Sequence, residues 1–352
     1  MGLIERLLKN STSDFTDVMA DSELFGQKDF APTLVPAVNL LLSGSFAGGI
    51  SRGHTTFAGA SKHFKTAFLM LCVRAYLDKH PDGVCLFYDT EFGAPQEYFT
   101  TFGIPLDRVV HTPIHSVEEL THDIMTQLND LKREDHVIII VDSFGNIASK
   151  KELEDALEGS EKADMTRAKK LKGLFRMIIM QLNTKDIPMI SVGHTYNTLE
   201  LYSKQILSGG TGYYYGANDI FFVGRNQEKN ETTKEIEGFN FVLNVEKSRF
   251  VREKQKIAIE VTFDGGINMW SGLLEMALES GHVIKPKQGW YQKASDSSKS
   301  YREKDTNTAS FWLPILEDAT FSEWAEKKYR LAKGEIIKDI TDDEIESDMN
   351  DA

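Results

Sequence analysis

Eight consecutive residues have the types and spacing of a loop that binds phosphate. They are Gly59, Ala60, Ser61, Lys62, His63, Phe64, Lys65 and Thr66. An apolar stretch predicted as a strand, Thr55–Ala58, comes before them, and a helical pattern begins at Lys65. In such a loop, backbone N–H groups and the helix N-terminus attract phosphate oxygens, the lysine reaches the β- and γ-phosphates, and the threonine hydroxyl binds Mg²⁺. We therefore predict that the chain binds ATP with Mg²⁺ and hydrolyses it.

One position departs from the usual pattern of this loop. Position 64 is Phe where the pattern G-x-x-x-x-G-K-[ST] has Gly, and a side chain restricts the conformations open to that residue. The alternative interpretation is a chance Gly followed by Lys-Thr before a helix. The order of strand, loop and helix favours the phosphate loop.

Two further strand candidates end in acids. The apolar run that starts at Val137 ends in Asp142, which we predict to orient Mg²⁺ and its waters. Another apolar run leads to Glu91, whose carboxylate is placed to orient and deprotonate a water for attack on the γ-phosphate. Judged singly, Asp142 is equally a turn cap and Glu91 an exposed loop carboxylate, so both alternatives stay open.

The elements that must position these groups alternate along the chain. Strands are predicted at Thr55–Ala58, Val84–Tyr88, Val109–His111, Val137–Val141, Met189–Val192 and Ile220–Val223. Helices are predicted at Thr66–His80, Val117–Leu131 and Thr166–Leu182. Apolar strands separated by helices are typical of an α/β fold with a mostly parallel central sheet.

The two ends of the chain have a different texture. Helices are predicted at Leu3–Leu8 and at Asp17–Phe25. An antiparallel extension of the sheet is predicted at Phe241–Val245 and Ile257–Phe263, and a smaller α/β part follows it. That part has predicted helices at Ser271–Glu279 and Phe321–Leu331 and a polar, exposed loop at residues 295–306.

Composition bounds the class of protein. The 352 residues are 41% hydrophobic and 26% charged, which is typical of a globular chain with a large core and a smaller domain. The two cysteines, Cys72 and Cys85, favour a reducing cytoplasm. No apolar run reaches the roughly 18 residues of a membrane span, so none is expected.

The charge is unevenly distributed. The net charge is −13, and residues 335–352 carry −7 of it, which leaves −6 for the other 334 residues. We expect an acidic, solvated tail. It is either a solubilising terminus or a segment that competes with DNA for a basic surface.

Several ordered segments together resemble the RecA superfamily of recombinases, and within it the UvsX-type recombinases of bacteriophages. The likeness covers residues 34–312, which is most of the chain. Phe64 departs from the general RecA pattern but is similar to the phage branch. The segments that carry the resemblance are Phe57–Thr66, Leu86–Gly93, Val141–Asn146, Asp164–Lys169, Gly193–Tyr196, Gly209–Gly212, Asn244–Arg249 and Phe263–Asn268.

The resemblance implies roles for particular side chains. Glu91 matches the glutamate that activates water, and Tyr98 matches an aromatic that stacks on adenine. His194 falls where RecA has a glutamine that senses the γ-phosphate. Lys247 and Arg249 match cations that reach the γ-phosphate from a neighbouring subunit. At i and i+2 of a strand they would point to one face, although a solvated basic face is the alternative.

Two segments are candidates for the DNA-binding loops that the resemblance implies. The first is Ser149–Met165 with the helix that follows it. That helix carries five cations, Arg167, Lys169, Lys170, Lys172 and Arg176, of which Lys169, Lys172 and Arg176 share one face. A solvated helix face is the alternative. The second segment, Asn197–Tyr215, contains Lys204, Gly209 and Gly210 and is expected to lack regular structure. Tyr214 within it is expected at a subunit interface.

The resemblance as a whole implies an ATP-dependent strand-exchange protein in the cytoplasm of an infected bacterial host. Its partners would be single- and double-stranded DNA, further copies in a helical filament, a single-strand-binding protein and a recombination mediator. The expected domains are an oligomerisation segment (1–33, with Leu24 and Phe25 as contacts), an ATPase core (34–268), a small domain (269–334) and the tail (335–352). A ring helicase or a nucleotide-binding scaffold without turnover is the rival interpretation.

Overall fold

The computed structural model describes residues 2–13, 15–22, 24, 29–159, 166–198, 204–230 and 233–331. The helices in chain order are α1 (Leu3–Asn10), α2 (Pro36–Ser43), α3 (Lys65–Lys79), α4 (Gln96–Thr101), α5 (Val117–Asp130), α6 (Lys150–Leu157), α7 (Thr166–Thr184), α8 (Thr211–Gly216), α9 (Leu273–Glu279), α10 (Ala309–Leu316) and α11 (Ala319–Tyr329). The strands are β1 (Gly53–Ala58), β2 (Val84–Asp89), β3 (Val109–Pro113), β4 (Val137–Asp142), β5 (Pro188–Gly193), β6 (Thr195–Asn197), β7 (Gln205–Leu207), β8 (Asp219–Lys229), β9 (Ile236–Lys247), β10 (Lys256–Thr262), β11 (Gly266–Ile267), β12 (Val283–Lys287), β13 (Trp290–Lys293) and β14 (Asp296–Tyr301).

The central sheet has a parallel and an antiparallel half. Its nine described strands follow the order β11-β10-β9-β8-β1-β5-β4-β2-β3. Strands β8, β1, β5, β4, β2 and β3 pair parallel with one another, whereas the pairs β8–β9, β9–β10 and β10–β11 are antiparallel. The predicted α/β fold with a mostly parallel sheet and an antiparallel extension is therefore confirmed. The parallel half needs crossover helices, which is why strands and helices alternate in the sequence.

Helices cover both faces of the parallel half. In β4, Ile138 and Ile140 belong to the buried cluster that contains α3, whereas Ile139 and Val141 belong to the cluster that contains α5 and α7. Successive side chains of a strand point to opposite faces, so a strand buried on both faces is apolar throughout. This explains why the strand predictions there were correct to within about one or two residues, except that β8 continues to Lys229, well beyond its predicted end at Val223.

The C-terminal part forms a small sheet with helices around it. Strands β12, β13 and β14 pair in that order as an antiparallel sheet. The exposed loop predicted at residues 295–306 is wrong, because Asp296–Tyr301 is a strand and Glu303–Thr306 is a turn of 3₁₀ helix. The strand lies at the edge of its sheet and exposes most of its polar side chains, so its sequence has no apolar period to reveal it.

The N-terminal segment is mostly exposed. Helix α1 confirms the first predicted helix, and its Leu3, Ile4 and Leu7 are each about 60% exposed. The second predicted helix is wrong where the structure describes it, because residues 17–22 form a turn closed by the bond from the Asp21 N–H to the Val18 carbonyl. A helix this short is marginal without packing partners. Phe25 and the acidic tail lie outside the described residues, and the domain boundaries stay a prediction.

The two cysteines are buried, and neither forms a disulfide. Burial raises the pKa of the Cys72 thiol to about 12 and raises that of Cys85 as well. Within the part of the chain that the structure describes, no helix is long and apolar enough to span a membrane.

Candidate functional site

The predicted phosphate loop lies between β1 and α3, as expected. Lys65 is the first residue of α3, and Phe64 is the residue before the helix. Strand β1 is buried along its whole length between β5 and β8. The loop therefore projects from the interior of the sheet, with the helix N-terminus beside it.

Phe64 has a left-handed backbone, with φ 61° and ψ 19°. A residue with a side chain pays roughly 1–2 kcal/mol for this conformation, which is why the general pattern has Gly. Contacts of the ring offset that cost. It stacks on Phe241 of β9 at 4.6 Å between centroids and meets Phe68 of α3 edge-on at 5.8 Å. The Phe is thus compatible with the loop because the antiparallel half of the sheet supplies an aromatic partner.

The side chains of Lys65 and Thr66 make hydrogen bonds to groups in and beside the loop. The Lys65 ammonium donates to the Ala60 carbonyl at 2.8 Å, within the loop itself. Burial lowers the pKa of Lys65, and the nearby Glu91 and Asp142 carboxylates oppose that shift. The Thr66 hydroxyl donates to Asp142 Oδ2 at 2.8 Å.

Asp142 fits a role in Mg²⁺ binding. It ends β4, and its second oxygen, Oδ1, is buried and has no hydrogen-bond partner among the residues that the structure describes. Burial raises the pKa of Asp142 to about 6, and the Glu91 and Asp89 carboxylates add to the rise. Thr66 and Lys65 act in the opposite direction. A buried carboxylate oxygen left unpaired next to a hydroxyl suits Mg²⁺, which takes few protein ligands and fills its shell with water and phosphate oxygens.

Glu91 accepts three hydrogen bonds on a single oxygen. Its Oε1 accepts from the Asn146 amide at 3.0 Å, from His194 Nε2 at 3.0 Å and from the Ser143 hydroxyl. The bond from His194 is the largest cause of a lowered Glu91 pKa, the bond from Ser143 adds to it, and partial burial opposes both. The carboxylate is therefore held ionised and oriented. Glu91 does lie in an exposed loop after β2, as the alternative expects, but its carboxylate is held by these three bonds.

His194 directly follows β5, and Gly145 packs against its ring. Gly145 lies so close that a Cβ built on it would be 1.9 Å from His194 Cδ2, so a larger residue at 145 would displace the ring. The His194 carbonyl accepts from the Ser208 N–H at 2.8 Å, next to the glycine pair of the second predicted DNA segment. His194 thus connects Glu91 with that segment.

One cavity collects these groups. It measures about 320 Å³ and lies beside the loop, and Glu91, Tyr98, Asp142 and His194 line it together with residues 61–66. Tyr98 belongs to α4, and burial raises the pKa of its hydroxyl to about 12. The predicted cofactor-binding residues therefore meet in one place, apart from Gly59 and Ala60 at the start of the loop.

Lys247 and Arg249 lie elsewhere. Lys247 ends β9, and its ammonium donates to the carbonyls of Tyr214, Tyr215 and Ala217 at 2.9, 3.2 and 2.7 Å. Arg249 lies beyond the strand and is exposed, so the argument from strand alternation was wrong. Neither side chain lines the cavity around the loop of its own chain.

The predicted basic stripe on α7 is exposed. Lys169, Lys172 and Arg176 are all exposed, whereas Leu171, Leu174 and Phe175 face the core. Lys170 lies off the stripe, with its ammonium 3.6 Å from Glu118. Arg167 differs from the others because its guanidinium donates to three carbonyls of the loop after β4.

The second predicted DNA segment has more structure than expected. Strands β6 and β7 pair as a hairpin, and α8 follows at Thr211–Gly216. The expectation of an irregular segment was wrong because α8 depends on packing that its sequence does not show. A Cβ on Gly212 would lie 2.6 Å from the Lys172 Cα, so the two helices touch through a glycine. Tyr213 is buried in the core, and Tyr214 is half-buried near Lys247.

The structure brings the two predicted DNA segments together. Gly209 and Gly210 have φ values of +111° and +85°, which favour glycine, and they lie near Leu171 and Ala168 of α7. Lys204 is exposed beside β7, and its backbone N–H donates to the Thr198 hydroxyl at 2.9 Å. Sequence reasoning missed Ser143, Asn146 and the contacts of Arg167. Their signal was polar residues directly after a buried strand.

The fold and the loop define a protein of the RecA type, in which a phosphate loop follows a central strand of a largely parallel sheet. Comparisons with known proteins identify the branch. The chain is 44% identical over 357 residues to the recombination and repair protein of Enterobacteria phage T4, an alignment that covers 98% of this chain and 91% of that protein. A family description of the C-terminal domain of the T4 recombination and repair protein matches residues 270–324.

The chain therefore belongs to the UvsX-type family of phage recombination and repair proteins within the RecA superfamily. The resemblance inferred from the sequence segments is confirmed.

Proposed function

We propose that this protein is an ATP-dependent recombinase that assembles on single-stranded DNA, pairs it with a homologous duplex and hydrolyses ATP. The observation that carries the proposal is the contact between Glu91 and His194. It joins the group placed to activate water with the strand that leads into the glycine-rich hairpin. The name of the phage T4 relative supports a role in recombination and repair.

The proposed chemistry assigns a separate task to each side chain. Backbone N–H groups of the loop and the Lys65 ammonium bind the phosphates of ATP. All three hydrogen bonds to Glu91 from described residues reach Oε1, so Oε2 is available to orient a water and accept its proton. His194 keeps Glu91 in place and contacts the same cavity as the γ-phosphate would.

The proposed Mg²⁺ site consists of the Thr66 hydroxyl and the Asp142 carboxylate. Mg²⁺ bound there would neutralise charge that develops on the phosphate oxygens during transfer. Among the described residues, no group of three or more His, Cys, Asp or Glu is arranged to hold a metal ion without substrate. Binding of the metal should therefore depend on ATP.

The proposed DNA surface combines the exposed stripe on α7 with the hairpin. Lys169, Lys172 and Arg176 would contact phosphates, and the backbone at Gly209 and Gly210 can approach a strand closely. These groups recognise the backbone and carry no base-specific contacts. Base pairing between strands would then supply the sequence specificity.

Self-assembly completes the proposal. The apolar side chains of α1 are exposed and would be buried by a second copy. A cavity of about 310 Å³ lies beside the edge strand β3, and its lining includes Phe92, Phe99, Leu106 and Val109. The N-terminal segment of one copy would pack on the next copy, and Lys247 and Arg249 would approach the neighbouring phosphates. A single-strand-binding protein, a recombination mediator and the cytoplasm of an infected host belong to the same proposal.

One pair of measurements tests the proposal. We expect ATP hydrolysis to rise many-fold when single-stranded DNA is added, and negative-stain microscopy with a slowly hydrolysed ATP analogue to show helical filaments. Closed rings that unwind duplex DNA would identify a helicase instead. Nucleotide binding without turnover, in the wild type and in Glu91→Gln alike, would identify a scaffold.

A further inference from the structure

Arg167 makes an unusual set of contacts for a residue of a basic helix. Its Nε donates to the Ile147 carbonyl at 2.6 Å, and one terminal nitrogen donates to the Phe144 and Gly145 carbonyls, both at 2.7 Å. The side chain is half-buried, in contrast to Lys169, Lys172 and Arg176 of the same helix. The guanidinium therefore spans the short loop that follows β4.

This loop carries the groups that hold Glu91. Ser143 and Asn146 both donate to Glu91 Oε1, and the Gly145 N–H donates to the Ser143 hydroxyl at 3.2 Å. Gly145 also packs against the His194 ring, which donates to the same oxygen. All three donors to Glu91 are therefore either in the loop or in contact with it.

We propose that Arg167 is a positioning residue that fixes this loop and thereby couples α7 to Glu91, an inference that rests on the proposed ATPase function. Helix α7 carries the exposed stripe proposed to contact DNA. Because a hydrogen-bonded helix moves largely as a unit, a shift of α7 on DNA would move Arg167 and the loop with it. DNA would then influence hydrolysis through the orientation of Glu91.

The competing role for Arg167 is direct contact with a DNA phosphate. To reach a phosphate, the guanidinium would have to leave three carbonyls that lie close to the core, and each would need another donor. The two roles make different predictions. A phosphate ligand depends on charge, whereas a clamp on carbonyls depends on N–H donors.

The test compares Arg167→Gln, Arg167→Ala and a control, Lys170→Gln. Glutamine keeps two N–H donors without charge, alanine keeps neither, and the control removes one charge from the same helix away from the loop. We expect kcat for DNA-stimulated ATP hydrolysis to fall about 100-fold in Arg167→Ala, since a shift of about 1 Å in a positioned group costs that much. The KM for ATP should change less than about threefold, Arg167→Gln should recover part of kcat, and the control should resemble wild type.

DNA affinity separates the two roles. Fluorescence anisotropy with labelled single-stranded DNA and a slowly hydrolysed ATP analogue should give the same dependence on salt in wild type and in both Arg167 variants. A salt slope reduced by about 0.7 in both variants would correspond to one lost phosphate contact and would overturn the proposal. Equal losses of kcat in the glutamine and alanine variants would also overturn it.

Hydrogen–deuterium exchange tests the clamp independently of catalysis. Amides of residues 143–148 should exchange faster in Arg167→Ala than in wild type and Lys170→Gln, while amides of β2 stay protected. Unchanged exchange in the loop would overturn the proposal even if kcat falls. If wild type hydrolyses no ATP with DNA, the proposed function fails, and faster loop exchange in Arg167→Ala would still establish the clamp.

Discussion

In the parallel half of the central sheet, four strands end at one edge and each brings a group to the same cavity. Strand β1 leads to the phosphate loop, β2 to Glu91, β4 to Asp142 and β5 to His194. In the antiparallel half, β9 runs the other way, and its last residue, Lys247, lies at the opposite edge, where β8 begins. Because β9 runs antiparallel, Lys247 lies at the opposite edge of the sheet from the phosphate loop of its own chain.

This difference bears on the proposed assembly, in which a second copy would complete the site. A parallel sheet can collect catalytic groups from distant parts of one chain, because all its strands end on one side. A cation at the end of an antiparallel strand cannot join them within the same chain. Lys247 instead bonds to carbonyls of its own chain, and Arg249 is exposed beyond the strand, where a neighbouring subunit of the proposed assembly would reach it.

The largest expected effect concerns Glu91, at the edge of the sheet where the parallel strands end. Glu91→Gln should lower kcat for DNA-stimulated hydrolysis by about 10²–10⁴-fold, because the amide cannot accept the proton of the attacking water. ATP binding, measured with a fluorescent analogue, should change little. A variant that retains more than about a tenth of kcat would remove Glu91 from the chemistry.

The second prediction concerns the buried His54 near the start of β1, at the edge of the sheet opposite to the phosphate loop. Its ring packs against Phe175 and Tyr213, which also stack on each other. Burial, with a contribution from Lys247, lowers the pKa of His54 from 6.5 to about 3. The unfolded chain therefore binds this proton more readily, and stability should fall by about 1.4 kcal/mol per pH unit as the pH drops below 6.5 toward 3.

His54→Phe is the matched variant, because it keeps a ring in the stack and removes the titrating nitrogen. Urea unfolding at several pH values between 6.5 and 4.5 should show a smaller slope of stability against pH than in wild type. An equal slope would mean that other groups dominate the acid sensitivity.

A mixing experiment tests whether the two halves act across subunits. Lys65→Ala and Arg249→Ala should each be nearly inactive in ATP hydrolysis. A 1:1 mixture should recover up to about one quarter of wild-type hydrolysis, because about a quarter of random head-to-tail interfaces combine an intact loop with an intact arginine. Lys254→Ala, a nearby surface cation, serves as the control. A mixture no more active than its components would place Arg249 outside the shared site.

The basic stripe over the parallel half should have a moderate effect. Lys169→Ala combined with Arg176→Ala should reduce the salt slope of single-stranded DNA binding by about 1.4, at about 0.7 for each lost phosphate contact. The control pair is Lys132→Ala with Lys170→Ala, which removes two cations away from the stripe. An unchanged slope in the first pair would remove these residues from the DNA surface.

The smallest expected effect concerns Phe64, whose ring connects the phosphate loop of the parallel half with Phe241 of the antiparallel half. Phe64→Ala and Phe64→Gly both remove the stack on Phe241, but only glycine relieves the left-handed backbone. The glycine variant should therefore be more stable than the alanine variant by about 1 kcal/mol in chemical denaturation. Equal stabilities would show that the backbone at 64 carries no such cost.

Much of the candidate site was predictable, because it depends on strand ends. A buried apolar run followed by Asp142 or Glu91 is visible in the sequence, and parallel strands bring such ends together. The phosphate loop was visible for the same reason. The roles of these residues stay predictions, since the structure describes their placement and not their reaction.

The remainder depended on contacts between distant segments. The conformation of Phe64 is supported by Phe241, which is far away in the chain. Helix α8 forms on six residues because Gly212 and Gly216 allow it to lie against α7. Arg167 looked like one cation among five, and its contacts with loop carbonyls could not be read from helical spacing.

The burial of both cysteines makes the protein convenient for site-specific labelling. Cys72 and Cys85 are buried, and their raised pKa values keep the reactive thiolate scarce at neutral pH. A cysteine introduced at the exposed Ser297 of β14 should therefore react with a maleimide dye far faster than the native pair. Energy transfer between such dyes on successive copies would report assembly in real time without a cysteine-free background.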